Sequence, residues 1–179
     1  MLRSTPRQYG SVAVTLHWLA AIFIIFAFLM GALADNAIAS ATKTVLLRLH
    51  IAAALIVLLL TALRIFWWSF FDRKPQPLQD AHEWQTRLAN LVHLTFYIVI
   101  LGMIASGIGT MVLSGAGPAL IHGDALPNFH DYPPRTPHGL GAKLLIALFI
   151  AHVGAVVFHQ FIRRDGLLGR MWLPRTLDN

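Results

Sequence analysis

The sequence predicts an all-α integral membrane protein, a four-helix up-down bundle forming a single domain over residues 1–179. Three observations carry that fold class. Of 179 residues, 56% are hydrophobic and only 12% charged, with a mean hydropathy of +0.63, whereas about a quarter of the residues of a soluble domain carry charge. Four apolar stretches each reach the roughly 20 helical residues that cross a hydrocarbon core of about 30 Å. The 14 Lys and Arg residues alternate in density from one connection to the next. There is no cysteine, which excludes disulfides, thiolate metal sites, iron–sulfur clusters and a cysteine nucleophile. The net charge of +6 sits on a mostly apolar chain and reads as membrane topology, with no nucleic-acid partner implied.

The first span is expected over Val12–Ala34. It is longer than the ~7 to 15 apolar residues of a signal peptide and lacks an A-x-A site followed by a soluble domain, so it is expected to remain as an anchor. The second, Val45–Phe70, follows a short link from Asp35 to Thr44, and the third runs over Trp84–Leu113. Between the third and the fourth, His138–Ile162, lies a long Gly- and Pro-rich connection from Ser114 to Pro137. It is expected to be irregular and to lie over one membrane face as a lid.

Orientation follows from the basic residues. Arg3 and Arg7, then Arg64, Arg73, Lys74 and Arg87, then Arg163, Arg164, Arg170 and Arg175 make ten on one side, against Lys43, Arg48, Arg135 and Lys143 on the other. With positive charge retained inside, both termini face the cytoplasm. The chain is expected to cross a membrane four times, in contact with lipid.

Nine histidines are present, and His17, His50, His93, His138 and His152 fall within or at the mouths of the spans, with His159 near the last turn. Ionisable side chains at membrane depth are costly and normally meet a partner inside the bundle. Asp35, Glu83 and the other acids sit at or beyond the span ends, which disfavours a proton relay. His138 and His152 are 14 residues apart, a rise of about 21 Å that returns to nearly the same helix face. His50 matches His138 in depth and His17 matches His152, giving two planes with two imidazoles each. Small residues accompany them: Ala20, Ala21 and Gly31, Ala53 and Ala54, Gly139, Gly141 and Ala142, Gly154 and Ala155. Such residues also let bare helices pack closely. Zinc usually takes four compact ligands, whereas a bis-histidine haem takes two axial imidazoles from opposite sides. Two b haems with His17, His50, His138 and His152 as iron ligands fit the pattern best.

Other residues take lesser roles. Arg64, 14 residues beyond His50, returns to the same face and is a candidate for a haem propionate, or an ordinary positive-inside residue. Arg48, Arg135 and Lys143 are the external counterparts and a field for an anionic substrate. His93 stands as an alternative to His17 opposite His152, or as a hydrogen-bond donor to a propionate or quinone. His159 is a candidate for a quinone site or a snorkelling interfacial histidine. His82, His122 and His130 fall in connections, and the five tryptophans read as an aromatic belt. A histidine-relay metal or proton transporter is the rival from another class, and a membrane anchor for a soluble redox enzyme a third.

The stretches Thr15-Leu16-His17-Trp18-Leu19, Leu49-His50-Ile51-Ala52, Pro137-His138-Gly139 and Ala151-His152-Val153-Gly154 resemble the prokaryotic cytochrome b561 family, small four-helix dihaem cytochromes of bacterial inner membranes. The resemblance covers essentially the whole chain. It implies that His17 and His152 hold a cytoplasmic-side haem b, and His50 and His138 an external one. It further implies electron transfer between a small periplasmic donor or redox protein and the quinone pool, with ubiquinone as acceptor. One branch is an oxidoreductase that oxidises superoxide while reducing ubiquinone, and another function of the fold is pure electron carriage. Similar four-helix subunits anchor hydrogenases and formate dehydrogenases, usually with longer extensions.

Overall fold

The computed structural model of the protein describes residues 1–78 and 82–172, so that Arg175 of the basic tail lies outside the described residues. The long helices are α1 (Ser11–Asn36), α2 (Ser40–Phe70), α3 (Glu83–Ser114) and, after a short α4 (Ala116–His122), α5 (Arg135–Val157). A π-helical turn, Phe158–Arg163, continues α5, and 3-10 turns occupy Phe129–Asp131 and Leu168–Met171. No strand occurs among the described residues. Four helices, the last taken through Arg163, are long and apolar enough to cross a membrane. The shortest, with 26 residues, rises about 39 Å and exceeds the hydrocarbon thickness.

All four expected spans are present, and the differences lie at their ends. The second begins at Ser40 and the fourth at Arg135, so the first connection is reduced to residues 37–39. The connection over 114–137, expected to be irregular, contains α4 and a 3-10 turn. Gly115 and Gly123 bound α4 in left-handed conformation, at φ of 62° and 84°, which glycine adopts without steric cost. Pro118 is tolerated because it falls in the first turn, where the missing N–H has no intrahelical partner to lose. Arg64 and Arg87, counted with the second connection, belong to α2 and α3.

The helices associate in two pairs, α1 along α2 and α3 along α5, with far less contact between the pairs. Within the first pair Ala13, Val14, Ala20, Ala27, Ala53, Val57 and Leu60 are buried, and the alanines among them let the backbones approach. No residue of α5 is buried. Leu29, Leu33, Leu59, Ile98 and Ile150 face outward, as suits helices surrounded by lipid.

Polar contacts close both ends. Where the termini lie, buried Asp72 accepts from the Ser4 N–H (3.0 Å) and hydroxyl (2.7 Å), the Trp67 indole (3.2 Å) and the Arg73 N–H (2.9 Å). Arg170 donates to the carbonyls of Arg7 (2.8 Å), Pro6 (3.2 Å) and Gln76 (2.7 Å), and the Trp18 indole donates to Met171 O (3.1 Å). Trp18 and Trp67 are thus hydrogen-bond donors that tie chain segments together, beyond the belt role expected of them. At the opposite end Arg48 donates to Leu120 O (2.6 Å) and Ile121 O (3.1 Å), fixing α4 over α2. Arg135 pairs with Asp35 at 2.8 Å, and His130 Nε2 lies 3.7 Å from the same carboxylate.

Candidate functional site

The seam between the two helix pairs is lined by histidines at two levels. Nearer α4, the rings of His50 on α2 and His138 on α5 stand with centroids 6.0 Å apart. Nearer the termini, His17 on α1 lies 6.2 Å from His152 on α5, and His93 on α3 lies 5.8 Å from the same ring. The two expected planes are therefore brought together, and His93 joins the lower one. Phe96 meets His152 edge-on at 5.7 Å.

Hydrogen bonds decide which ring nitrogen is left for a metal. His50 Nδ1 donates to Ala27 O (2.7 Å), His138 Nδ1 to Met103 O (3.0 Å) and His93 Nδ1 to Ala89 O (2.6 Å). A carbonyl only accepts, so each of these rings carries its hydrogen on Nδ1 and keeps the Nε2 lone pair that ligation needs. The Ser106 hydroxyl also lies 3.2 Å from His138 Nδ1. His17 differs, because Arg64 Nη1 donates to its Nδ1 at 2.9 Å.

Glycine makes room for the upper pair. A Cβ on Gly31 would fall 2.9 Å from His50 Nδ1, and one on Gly107 would fall 3.3 Å from His138 Cε1. Gly31, expected to leave space for a bulky planar group at this level, accommodates the His50 imidazole instead. Gly141 instead faces Met103, Gly139 faces Arg135, and a Cβ on Gly154 would meet nothing within 4 Å. Gly107, Met103 and Ser106 were not singled out from the sequence. Their signal is the run Ala105-Ser106-Gly107 on α3, a stretch of small residues at the depth of His138.

Each level sets two imidazoles from different helices about 6 Å apart, at 6.0 and 6.2 Å between centroids, a donor set that would hold a metal-bearing planar group between them. At the lower level Arg64 supplies a second fit: its Nε is buried and has no hydrogen-bond partner among the described residues, so a carboxylate there would satisfy it. Among the described residues, no three His, Cys, Asp or Glu side chains converge as a compact metal cage.

The remaining candidates lie at the ends. His159, within the π turn, has Nδ1 2.5 Å from Asp165 Oδ2. Arg48 and Arg135 are engaged by the α4 carbonyls and Asp35, and Lys143 is exposed on α5. His82 caps α3 through its N–H to Gln85 Oε1 (3.0 Å). His122 lies 4.0 Å from Asp124.

Comparison with known proteins identifies the family. Residues 8–174 match the family described as prokaryotic cytochrome b561. The chain is 26% identical over 183 residues to cytochrome b561 homolog 1 of Escherichia coli K12, covering 94% of this chain and 98% of that one. It is 27% identical over 173 residues to cytochrome b562 of Cereibacter sphaeroides, covering 93% and 96% respectively.

Proposed function

The chain belongs to the prokaryotic cytochrome b561 family, and on that premise we propose that it is a dihaem electron carrier of the bacterial inner membrane, passing electrons from a small periplasmic donor to ubiquinone. Membership makes it a membrane cytochrome that binds haem b and takes part in electron transfer. The finer reading rests on one observation: two imidazole pairs, at 6.0 and 6.2 Å, occupy separate levels of one seam. Along α5 the levels are about 21 Å apart.

When bound, haem supplies a one-electron couple at its iron. His50 and His138 would be the ligands of the upper group, each held in the ligating tautomer by a backbone carbonyl. His152 would be a ligand of the lower group, with His17 as its partner by the family resemblance. Ligation through Nε2 requires His17 to give up the Arg64 bond, which frees the guanidinium for a propionate. The apolar helices around the seam exclude water and keep the dielectric low, which raises the weight of every charge placed near it.

Retention of positive charge on the cytoplasmic side puts both termini there and α4 on the periplasmic side. Arg48 and exposed Lys143 then bias the periplasmic mouth toward an anionic donor, superoxide foremost, while Arg135 is compensated by Asp35. His159, in the π turn at the end of the last span, would serve the quinone.

A reduced-minus-oxidised spectrum with haem quantitation on the purified protein tests this reading. Two low-spin b haems per chain are expected; one or none overturns the dihaem assignment. Superoxide-driven reduction of ubiquinone by the isolated protein then separates the oxidoreductase from a carrier that needs protein partners. His159→Ala is expected to keep both haems and slow quinone reduction, and unchanged kinetics remove His159 from that site.

A further inference from the structure

The corner at which α5 leaves the bundle is built around one carboxylate. From Phe158 the helix widens into a π turn that ends at Arg163, a local form frequent at functional sites. Arg164 follows at φ 52° and Gly166 at φ 72°, and the first is a left-handed conformation that residues with a Cβ seldom adopt. The chain therefore turns back on itself, and the Asp165 N–H reaches His159 O at 3.4 Å. Its Oδ2 meets His159 Nδ1 at 2.5 Å, while Oδ1 accepts the Leu167 N–H at 3.2 Å. Both side chains are about four-fifths covered, at 22% and 21% exposure. Burial alone would raise the carboxyl's pKa. The hydrogen bonds from His159 and Leu167, with the charges of His159 and Arg163, outweigh it and hold Asp165 below the usual carboxylate range.

We propose that Asp165 is a positioning residue for quinone reduction, holding the Nδ1–H of His159 so that Nε2 is the nitrogen that gives a proton to a quinone carbonyl oxygen. The inference rests on the reading of His159 as a quinone-site residue. Reduction of one quinone consumes two electrons, one from each of the two reduced haems of the proposed function, and two protons. One proton leaves His159 Nε2 as an O–H bond forms at the oxygen it faces, and the other comes from water at the same end. The His159 ring is then reprotonated from solvent. Asp165 stays a carboxylate throughout, orienting the ring and stabilising its doubly protonated form, as a buried Asp does for a catalytic histidine.

The test compares the haem-loaded full chain with Asp165→Asn and His159→Ala, using a short-chain ubiquinone in detergent. Asparagine keeps an acceptor for the Leu167 N–H and removes the charge. For Asp165→Asn, haem content and reduction by dithionite are expected to stay as in the parent, and calorimetric affinity for the ubiquinone within about two-fold. The kcat of quinone reduction falls about ten-fold or more, and the His159 Nδ1 resonance shifts in protein labelled with 15N-histidine. Parental kcat in Asp165→Asn beside a slow His159→Ala overturns the positioning role and leaves the quinone reading standing. Parental kcat in both overturns the quinone reading itself. Loss of haem from Asp165→Asn would make the residue structural and also overturn the proposal.

Discussion

Arg64 Nη1 stands 2.9 Å from His17 Nδ1, and because a guanidinium only donates, this bond leaves His17 with its hydrogen on Nε2. The three other seam histidines with assigned bonds, His50, His93 and His138, donate from Nδ1 to carbonyls. One arginine thus sets His17 apart from the others. Its buried Nε has no hydrogen-bond partner among the described residues and would donate to an anion held at the lower level.

Arg64→Gln is expected to retain both haems and to lower the midpoint potential of the one nearer the termini. Removing a positive charge from a low-dielectric site disfavours the reduced form, by on the order of 50 mV. Potentiometric titration of the two haems reads this directly, and equal potentials before and after would detach Arg64 from the lower group.

Loss of a ligand should remove one haem and spare the other. His50→Ala and His152→Ala are each expected to leave about one haem per chain. His17 and His93 lie at 6.2 and 5.8 Å from His152, so their variants discriminate. His17→Ala is expected to lose the lower haem while His93→Ala keeps it; the reverse result would make His93 the ligand.

Gly31→Ala places a methyl 2.9 Å from His50 Nδ1, closer than van der Waals contact permits. The ring must shift and its bond to Ala27 O lengthen, at a cost of about 1–3 kcal/mol, and weaker retention of the upper haem is the expected outcome. Gly107→Ala, at 3.3 Å from His138, should be milder. Haem stoichiometry and Tm of the two variants give the comparison.

Asp72 predicts how the terminal end responds to acid. Burial raises its pKa, but the hydrogen bonds from Ser4, Arg73 and Trp67 outweigh it and the net value is lowered. A depressed folded-state value means that its stabilisation is complete above the ordinary carboxylate pKa of about 3.9. It is lost as pH falls through the lower folded value. Protection of the Ser4 and Gly10 amides from hydrogen exchange is therefore expected to hold from pH 8 to about pH 5 and to fall only below about pH 4. Asp72→Ala should abolish it at all pH, at a cost of about 1–3 kcal/mol.

The spans and the depth matching of the histidines were legible because both depend on helical rise and apolar length alone. The pairing of His50 with His138 follows from counting residues. The ambiguity between His17 and His93 does not, since it depends on how α3 rotates about its axis, and a helix apolar on all sides carries no periodic signal for that. Helix α4 was missed because Gly115, Gly117, Pro118 and Gly123 read as breakers, although Gly115 and Gly123 bound the helix and Gly117 and Pro118 both sit within its first turn. Asp165 was passed over because its partner is set by a π turn and a left-handed arginine, neither of which has a sequence signature. Ala27 O and Met103 O, which orient His50 and His138, are backbone atoms and have no residue type to betray them.

Arg170 joins acceptors at residues 6, 7 and 76, the earliest of which leave the ribosome long before it does. At about 5–20 residues per second of synthesis, the opening segment waits through the making of all four spans before its last clasp exists. That end of the bundle is therefore fastened only after all four spans have been made. A chain cut short before residue 170 would insert its helices yet leave its beginning unfastened, and so open to the proteases that patrol the membrane surface.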